Sequence, residues 1–333
     1  AGGPFAFSPP FILFPAEYTM QKKHLTGILA ALVLALLAGA EIYARKGLGL
    51  GDPPLSVADP KIEYLFAPNQ DCLRFGNHIR YNDKSLRNDY PTSVLTNGEN
   101  CVLMLGDSVL NGGALTDQAK LATTLAEKEL RAQGRPFRIL NCSAGSWGPV
   151  NCAEYVRKYG NFGAQSVYMV LNPGDLWDVP DHTPIVGTRS FPDKKPWLAV
   201  WELVYRYILP RLEGLGREKQ SRLVSKEGLV RGGMSKEAAE AASLEAISYC
   251  LGQAPDRGIV YTRLKGDWAS PALSEGEIKL RNFCKKNGYG FHLLQLDPRT
   301  DYREGDCIHL NESGQRKLAD LLVQILSDRL RRD

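Results

Sequence analysis

Apolar positions follow two rhythms along this chain. Over residues 25–40 they run almost unbroken, interrupted only by Thr26 and by small residues. From about residue 100 onward they come in short runs instead, at 101–105, 137–140, 166–171, 258–264 and 290–296. Between these runs lie longer stretches with helical spacing, such as 121–133 and 274–287. A short apolar run bounded by polar residues reads as a buried strand, and its alternation with helices predicts a parallel sheet with helices on both faces. Ligands of such sheets sit at the carboxyl ends of the strands.

Two segments fall outside this alternation. Residues 1–24 are rich in proline and phenylalanine and are expected to be irregular, with Met20 opening the layout of an export signal. Lys22 and Lys23 form its positive head, and residues 25–44 read as a signal segment or a membrane anchor. Ala38-Gly39-Ala40 offers a signal-peptidase-like site, whereas Arg45 and Lys46 would flank an uncleaved anchor. A glycine- and proline-rich linker, 45–58, follows. The second exception is an insertion at 179–255, which carries Trp197, Trp201, Tyr205 and Tyr207 near its start and a charged helical stretch at 234–249. An insertion after a sheet strand falls on the rim of the site, where it serves as a lid or an acceptor platform. Its aromatic spacing equally suits an amphipathic helix docked on the core.

Candidate chemistry lies in two short motifs far apart. Gly106-Asp107-Ser108 follows the apolar run 101–105, where a strand-to-helix turn exposes the serine hydroxyl. Asp306-Cys307-Ile308-His309 places a carboxylate three residues before a histidine at the head of a helix. Together they supply a nucleophile (Ser108), a base (His309) and a group that orients the base (Asp306), which is what acyl transfer through serine requires.

These blocks resemble the GDSL, or SGNH, hydrolase family, whose first block is GDS and whose last is DxxH. The resemblance covers roughly residues 100–330. It implies a flavodoxin-like three-layer α/β/α sandwich with a parallel sheet, residues 99–333 forming the catalytic domain. The second family block, which supplies an oxyanion donor from a glycine N–H, corresponds to Asn141 through Gly148. Here Ser146 stands at the glycine position and Gly145 one residue early. In the third block Asn172-Pro173-Gly174-Asp175 replaces GxND, so Gly174 stands where the family carries asparagine. Either Asn172 turns its amide into the hole, or that side-chain donor is absent and Asn172 shapes the turn before Pro173. The expected oxyanion donors are Ser108, Gly145 and Ser146, with Asn172 open. Asp107, Gly174 and Asp175 are expected to be structural. The segment 59–98 looks like the β-rich stretch that precedes the GDS block in membrane-anchored bacterial members, either covering a sheet edge or walling the substrate.

Composition narrows the function further. A net charge of +4 on 333 residues, with no basic cluster interleaved with aromatics, gives nucleic-acid binding no support. Seven cysteines show no CxxC and fit no metal spacing; Cys142 and Cys152 are the pair that would bridge in an oxidising compartment, and Cys101 falls in a core strand. No cofactor or metal is implied. The resemblance and the apolar segment lead to an exported serine esterase, anchored in the cell envelope or secreted, that removes small acyl groups, acetyl above all, from carbohydrate. An O-acetyltransferase and a non-catalytic glycan-binding protein with a degenerate site are the alternatives.

Overall fold

The computed structural model describes residues 16–95, 99–214, 230 and 233–329, with side chains for 24–95, 99–212, 230 and 233–329. Strands form where the short apolar runs lie: β5 (Asn100–Gly106), β6 (Phe137–Ser143), β7 (Ser166–Leu171), β8 (Asp256–Tyr261) and β9 (Gly290–Leu293). They pair in parallel in the order β6-β5-β7-β8-β9, so the first strand of this sheet is interior, one in from the β6 edge, and the direction of winding reverses between β5 and β7. This is the flavodoxin-like order, with its crevice at that reversal.

Alternation within β5 shows why both faces are covered. Cys101, Leu103 and Leu105 enter one apolar cluster, and Val102 and Met104 enter the other. The first cluster is closed by α4 (Pro149–Tyr159), α7 (Lys236–Leu251) and α8 (Glu275–Asn287), and the second by α3 (Ala122–Ala132) and α9 (Glu312–Arg329). The result is a three-layer α/β/α sandwich.

Ahead of the sheet stand two antiparallel hairpins, β1 (Ser56–Asp59) with β2 (Glu63–Phe66) and β3 (Gln70–Arg74) with β4 (Asn77–Tyr81). The chain beyond them covers the β6 edge: Arg87 N–H donates to the Asn141 carbonyl, and the Asn88 side chain bonds Asn141 N–H and the Ile139 carbonyl, each at 2.8–2.9 Å. An exposed ladder edge is thereby paired off.

The apolar segment is one helix, α1 (Ala16–Lys46). It already includes Ala16, the first described residue, inside the stretch expected to be irregular; residues 1–15 lie outside the described residues. From His24 to Lys46 it is long and apolar enough to cross a membrane, with none of its most apolar window buried against the protein. Its last turns dock instead. The Glu41 carboxylate accepts the N–H groups of Ala199 and Val200 at 2.9 and 3.0 Å, and Arg45 donates to the Trp197 carbonyl at 2.8 Å. Those residues open α5 (Ala199–Glu202), which continues through a π-helical turn at Leu203–Ile208 into α6 (Leu209–Gly214).

Candidate active site

β5 ends at Gly106, where a Cβ would stand 3.1 Å from the Leu110 side chain and 3.2 Å from the Val170 carbonyl oxygen, so the chain turns there with no room to spare. Asp107 then caps the single-turn helix α2 (Ser108–Asn111), its Oδ1 accepting Val109 N–H at 2.8 Å. Ser108 is the first residue of that helix and remains half-buried at the crevice. The last block is fixed as locally. Asn311 caps α9 through Gly314 N–H, while the Asp306 Oδ1 accepts Ile308 and His309 N–H at 2.9 and 3.0 Å.

Across this gap of 201 residues His309 Nε2 lies 2.9 Å from Ser108 Oγ. On its other side His309 Nδ1 lies 2.7 Å from Asp306 Oδ2. A carboxylate on one ring nitrogen places the proton there and leaves the other nitrogen free to accept from the serine. Burial pushes the Asp306 carboxyl up, but the N–H groups of His309 and Ile308 and the His309 ring together hold it below its ordinary value. Arg303 ties the two blocks, its guanidinium donating to the Gly112 carbonyl at 2.6 Å and Thr116 Oγ1 at 2.8 Å, and its N–H to the His309 carbonyl.

The second block forms the adjoining wall. Gly145 and Ser146 follow β6, and their N–H groups, like that of Ser108, donate to no protein acceptor among the described residues. Ser146 is exposed and adopts φ 60°, the left-handed region that glycine occupies most readily. The glycine position of the family pattern thus keeps a glycine-like backbone with serine in it. Sequence reasoning passed over the support behind it. Tyr64, from β2, donates its hydroxyl to the Gly145 carbonyl at 2.6 Å, and Trp147 Nε1 donates back to the Tyr64 carbonyl. A tyrosine in a strand of the accessory segment was visible, but no spacing rule links it to a loop 81 residues on.

Asn172 follows β7 and is 5% exposed. Its Nδ2 donates to Asp175 Oδ1 at 2.7 Å and to Asp107 Oδ2 at 3.1 Å, which uses both amide hydrogens. Its Oδ1 accepts Gly174 N–H at 2.9 Å, and its own N–H donates to Asp175 Oδ2 at 2.8 Å. Gly174 has φ −83°, open to any residue. Burial is the main reason the two carboxyls rise, Asp107 to about 6 and Asp175 well above the ordinary carboxylate range; the charge of Asp107 raises Asp175 further. Asp107, next in the chain to Ser108, and Asp175 are thus joined through one amide.

The cysteines stand apart from this chemistry. Cys142 and Cys152 are free and buried, as is Cys101, and burial pushes all three thiols up. No cluster of metal-ligating side chains occurs among the described residues.

In comparisons with known proteins, no family model and no curated sequence matches the chain. Solved structures do. The structures it is similar to include an acetyl xylan esterase, a lipolytic G-D-S-L family protein and an α/β hydrolase. A variant of Axe2, an acetyl xylan esterase from Geobacillus stearothermophilus, superposes with a TM-score of 0.40 at 13% identity over 70% of this chain and 96% of that one. A lipolytic G-D-S-L family protein from Veillonella parvula gives 0.39 at 8% identity, over 68% and 98%. An α/β hydrolase from the metagenome of Lake Arreo, Spain, gives 0.41 at 14%, over 70% and 97%. At such identities and scores none of them fixes the chemistry of this chain, which its own side chains must supply.

Proposed function

We propose that this protein is a serine esterase that removes small acyl groups from carbohydrate or cell-envelope esters through an acyl-enzyme. The observation that carries this reading is the continuous relay from Asp306 through His309 to Ser108, with contacts of 2.7 and 2.9 Å, at the winding reversal of the sheet. Ser108 Oγ attacks the ester carbonyl while His309 Nε2 takes its proton. His309 then protonates the leaving alkoxide, and a water repeats the sequence to release the acid. Asp306 holds the ring in its tautomer and stabilises the imidazolium. The oxyanion is received by main-chain N–H groups of Ser108 and of Gly145 or Ser146, which have no competing acceptor. Asn172 is assigned the turn and the Asp107–Asp175 link in place of the oxyanion, since both of its amide hydrogens are engaged.

The chain is taken to be held at a membrane by α1, with its catalytic domain outside the cytoplasm. Retention of the helix is supported by its docked end: cleavage after Ala40 would leave Glu41, which holds the first turn of α5, as a free terminus.

Labelling with a serine-directed fluorophosphonate tests the relay. The unaltered protein is expected to label and Ser108→Ala to remain unlabelled; labelling of the variant would sink the assignment. Incubation with acetylated glycans, with and without a sugar acceptor, then separates release of acetate from transfer to a sugar hydroxyl.

A further inference from the structure

The insertion helix has two unlike sides. Toward the protein, Glu202 is 2% exposed and receives the fully buried Arg74 at 2.6 Å and Gly51 N–H at 2.6 Å, while Arg74 also reaches Tyr207 Oη at 2.8 Å. Ala199 is buried beside Ala44 of α1. Toward solvent stand Trp197 at 95% exposure and Trp201 at 57%, followed by Tyr205, Ile208 and Leu212. Trp197 stands just before α5, and Trp201, Tyr205, Ile208 and Leu212 follow along the helix through its π-helical turn, so what joins the five is their shared exposure. The aromatic residues therefore do not all dock on the core: Tyr207 does, and the tryptophans face away.

An exposed stripe of this kind marks a contact, and α1 says which. Residues 25–40 make sixteen helical residues, or ~24 Å, short of the ~30 Å hydrocarbon thickness. Ile42 and Tyr43 are also exposed, and counting to Tyr43 brings the length to ~28 Å. Within a helix that is long enough to cross from His24 to Lys46, an apolar stretch of this length places the final turn at the bilayer boundary. That turn carries Glu41 and Arg45, which bond the start of α5 directly. The tryptophan side must then lie at the same depth, where amphipathic rings are favoured. Lys194, just before the stripe, and Arg211, between Ile208 and Leu212, are both exposed and add positive charge suited to anionic headgroups.

We infer that Trp197, Trp201, Tyr205, Ile208 and Leu212 form a second membrane contact, lying in the interface of the bilayer that α1 crosses, so that the catalytic domain is held at the surface in a fixed orientation. This rests on the reading of α1 as a retained anchor and adds a surface to it. The buried Arg74–Glu202 pair transmits that orientation to the hairpins, and Tyr64 connects them to the Gly145 wall of the site.

The chain's own fluorescence tests it. Of five tryptophans, Trp147 is buried and Trp177 and Trp268 are half-buried away from the stripe, and α1 has none. The full chain is reconstituted in phosphatidylcholine–phosphatidylglycerol vesicles, with or without lipid brominated near the headgroup end of the acyl chain. The unaltered protein should lose emission to brominated lipid, and Trp197→Phe/Trp201→Phe should lose that quenching while floating with the vesicles as before. Flotation without quenching of the unaltered protein would overturn the inference and leave the anchor standing. Failure to float would overturn both. Unquenched emission accompanied by self-association that the double variant abolishes would assign the stripe to a second copy and overturn it likewise.

Discussion

His309 and Asp306 have side chains 30% and 28% exposed, and each has a partner in the relay. Next to the relay, Asp107, Asn172 and Asp175 are 7%, 5% and 4% exposed and are bonded among themselves. The relay has one carboxyl and the buried triplet has two; Asp107 and Ser108 follow β5, Asn172 and Asp175 follow β7, and Asp306 and His309 precede α9. What separates them is unused bonding capacity. The relay ends on a hydroxyl that faces the crevice, whereas the buried triplet ends on itself. A polar group that reacts needs a free direction, and one that supports needs none.

The largest effect should come from breaking the relay. Ser108→Ala and His309→Ala are each expected to lower kcat by ~10⁴ or more with the fold intact, and the double variant to cost little beyond either one, because the members act as a unit. Asp306→Asn should cost less and still be large. Steady-state hydrolysis of a small acetyl ester measures all four, and wild-type turnover in Ser108→Ala would refute the assignment.

Breaking the buried triplet should act on stability instead. Asn172→Ala leaves two buried carboxyls facing each other without their shared donor, an expected loss of about 2–4 kcal/mol. If kcat of the folded variant stays within a few-fold, the amide is support; a fall of ~10²–10³ at unchanged KM would make it an oxyanion donor after all. Chemical unfolding and kinetics on the same preparation give both numbers.

That contrast also marks where the sequence was legible. Ser108, Asp306 and His309 lie in motifs whose internal spacing sets their local geometry, so they stood out as candidates before their contacts of 2.7 and 2.9 Å were known. The sheet was readable for a similar reason, since strands covered on both faces must be continuously apolar. The Asp107–Asn172 bond spans 65 residues and depends on how β5 and β7 register, which no local pattern encodes. Trp201 and Tyr207 share an aromatic-rich helix, yet only burial of Arg74 beside Tyr207 tells which side faces inward.

Acidity should separate the two triplets by sign. Asp107 and Asp175 have raised values in the folded protein, so folding favours their protonated forms; stability from them is full below about pH 4 and declines as pH rises through about 6 and beyond. Asp306 is lowered, so its contribution is present above the ordinary carboxylate range and fades on acidification. Replacing Asp175 by Asn should flatten the decline above pH 4, and replacing Asp306 by Asn should flatten the acid side. Thermal midpoints between pH 3 and 8 are expected to move by a few °C; the opposite assignment of slopes would reverse the account of the pair.

The smallest effect concerns Ser146, where a serine holds a backbone suited to glycine. Ser146→Gly removes the left-handed penalty but adds freedom to the unfolded chain, and should stabilise by about 1 kcal/mol or less. Its N–H is unchanged, so kcat should stay within a few-fold. Ser146→Ala keeps the strained φ and the N–H and removes only the hydroxyl, so it should also leave kcat within a few-fold and stability near that of the parent. If alanine lowers kcat by ~10² and glycine does the same, the hydroxyl itself receives the oxyanion, and the main-chain reading of this wall is wrong. If glycine alone lowers it, the side chain acts by holding the loop at φ 60°, and the donor is the N–H whose direction that angle sets.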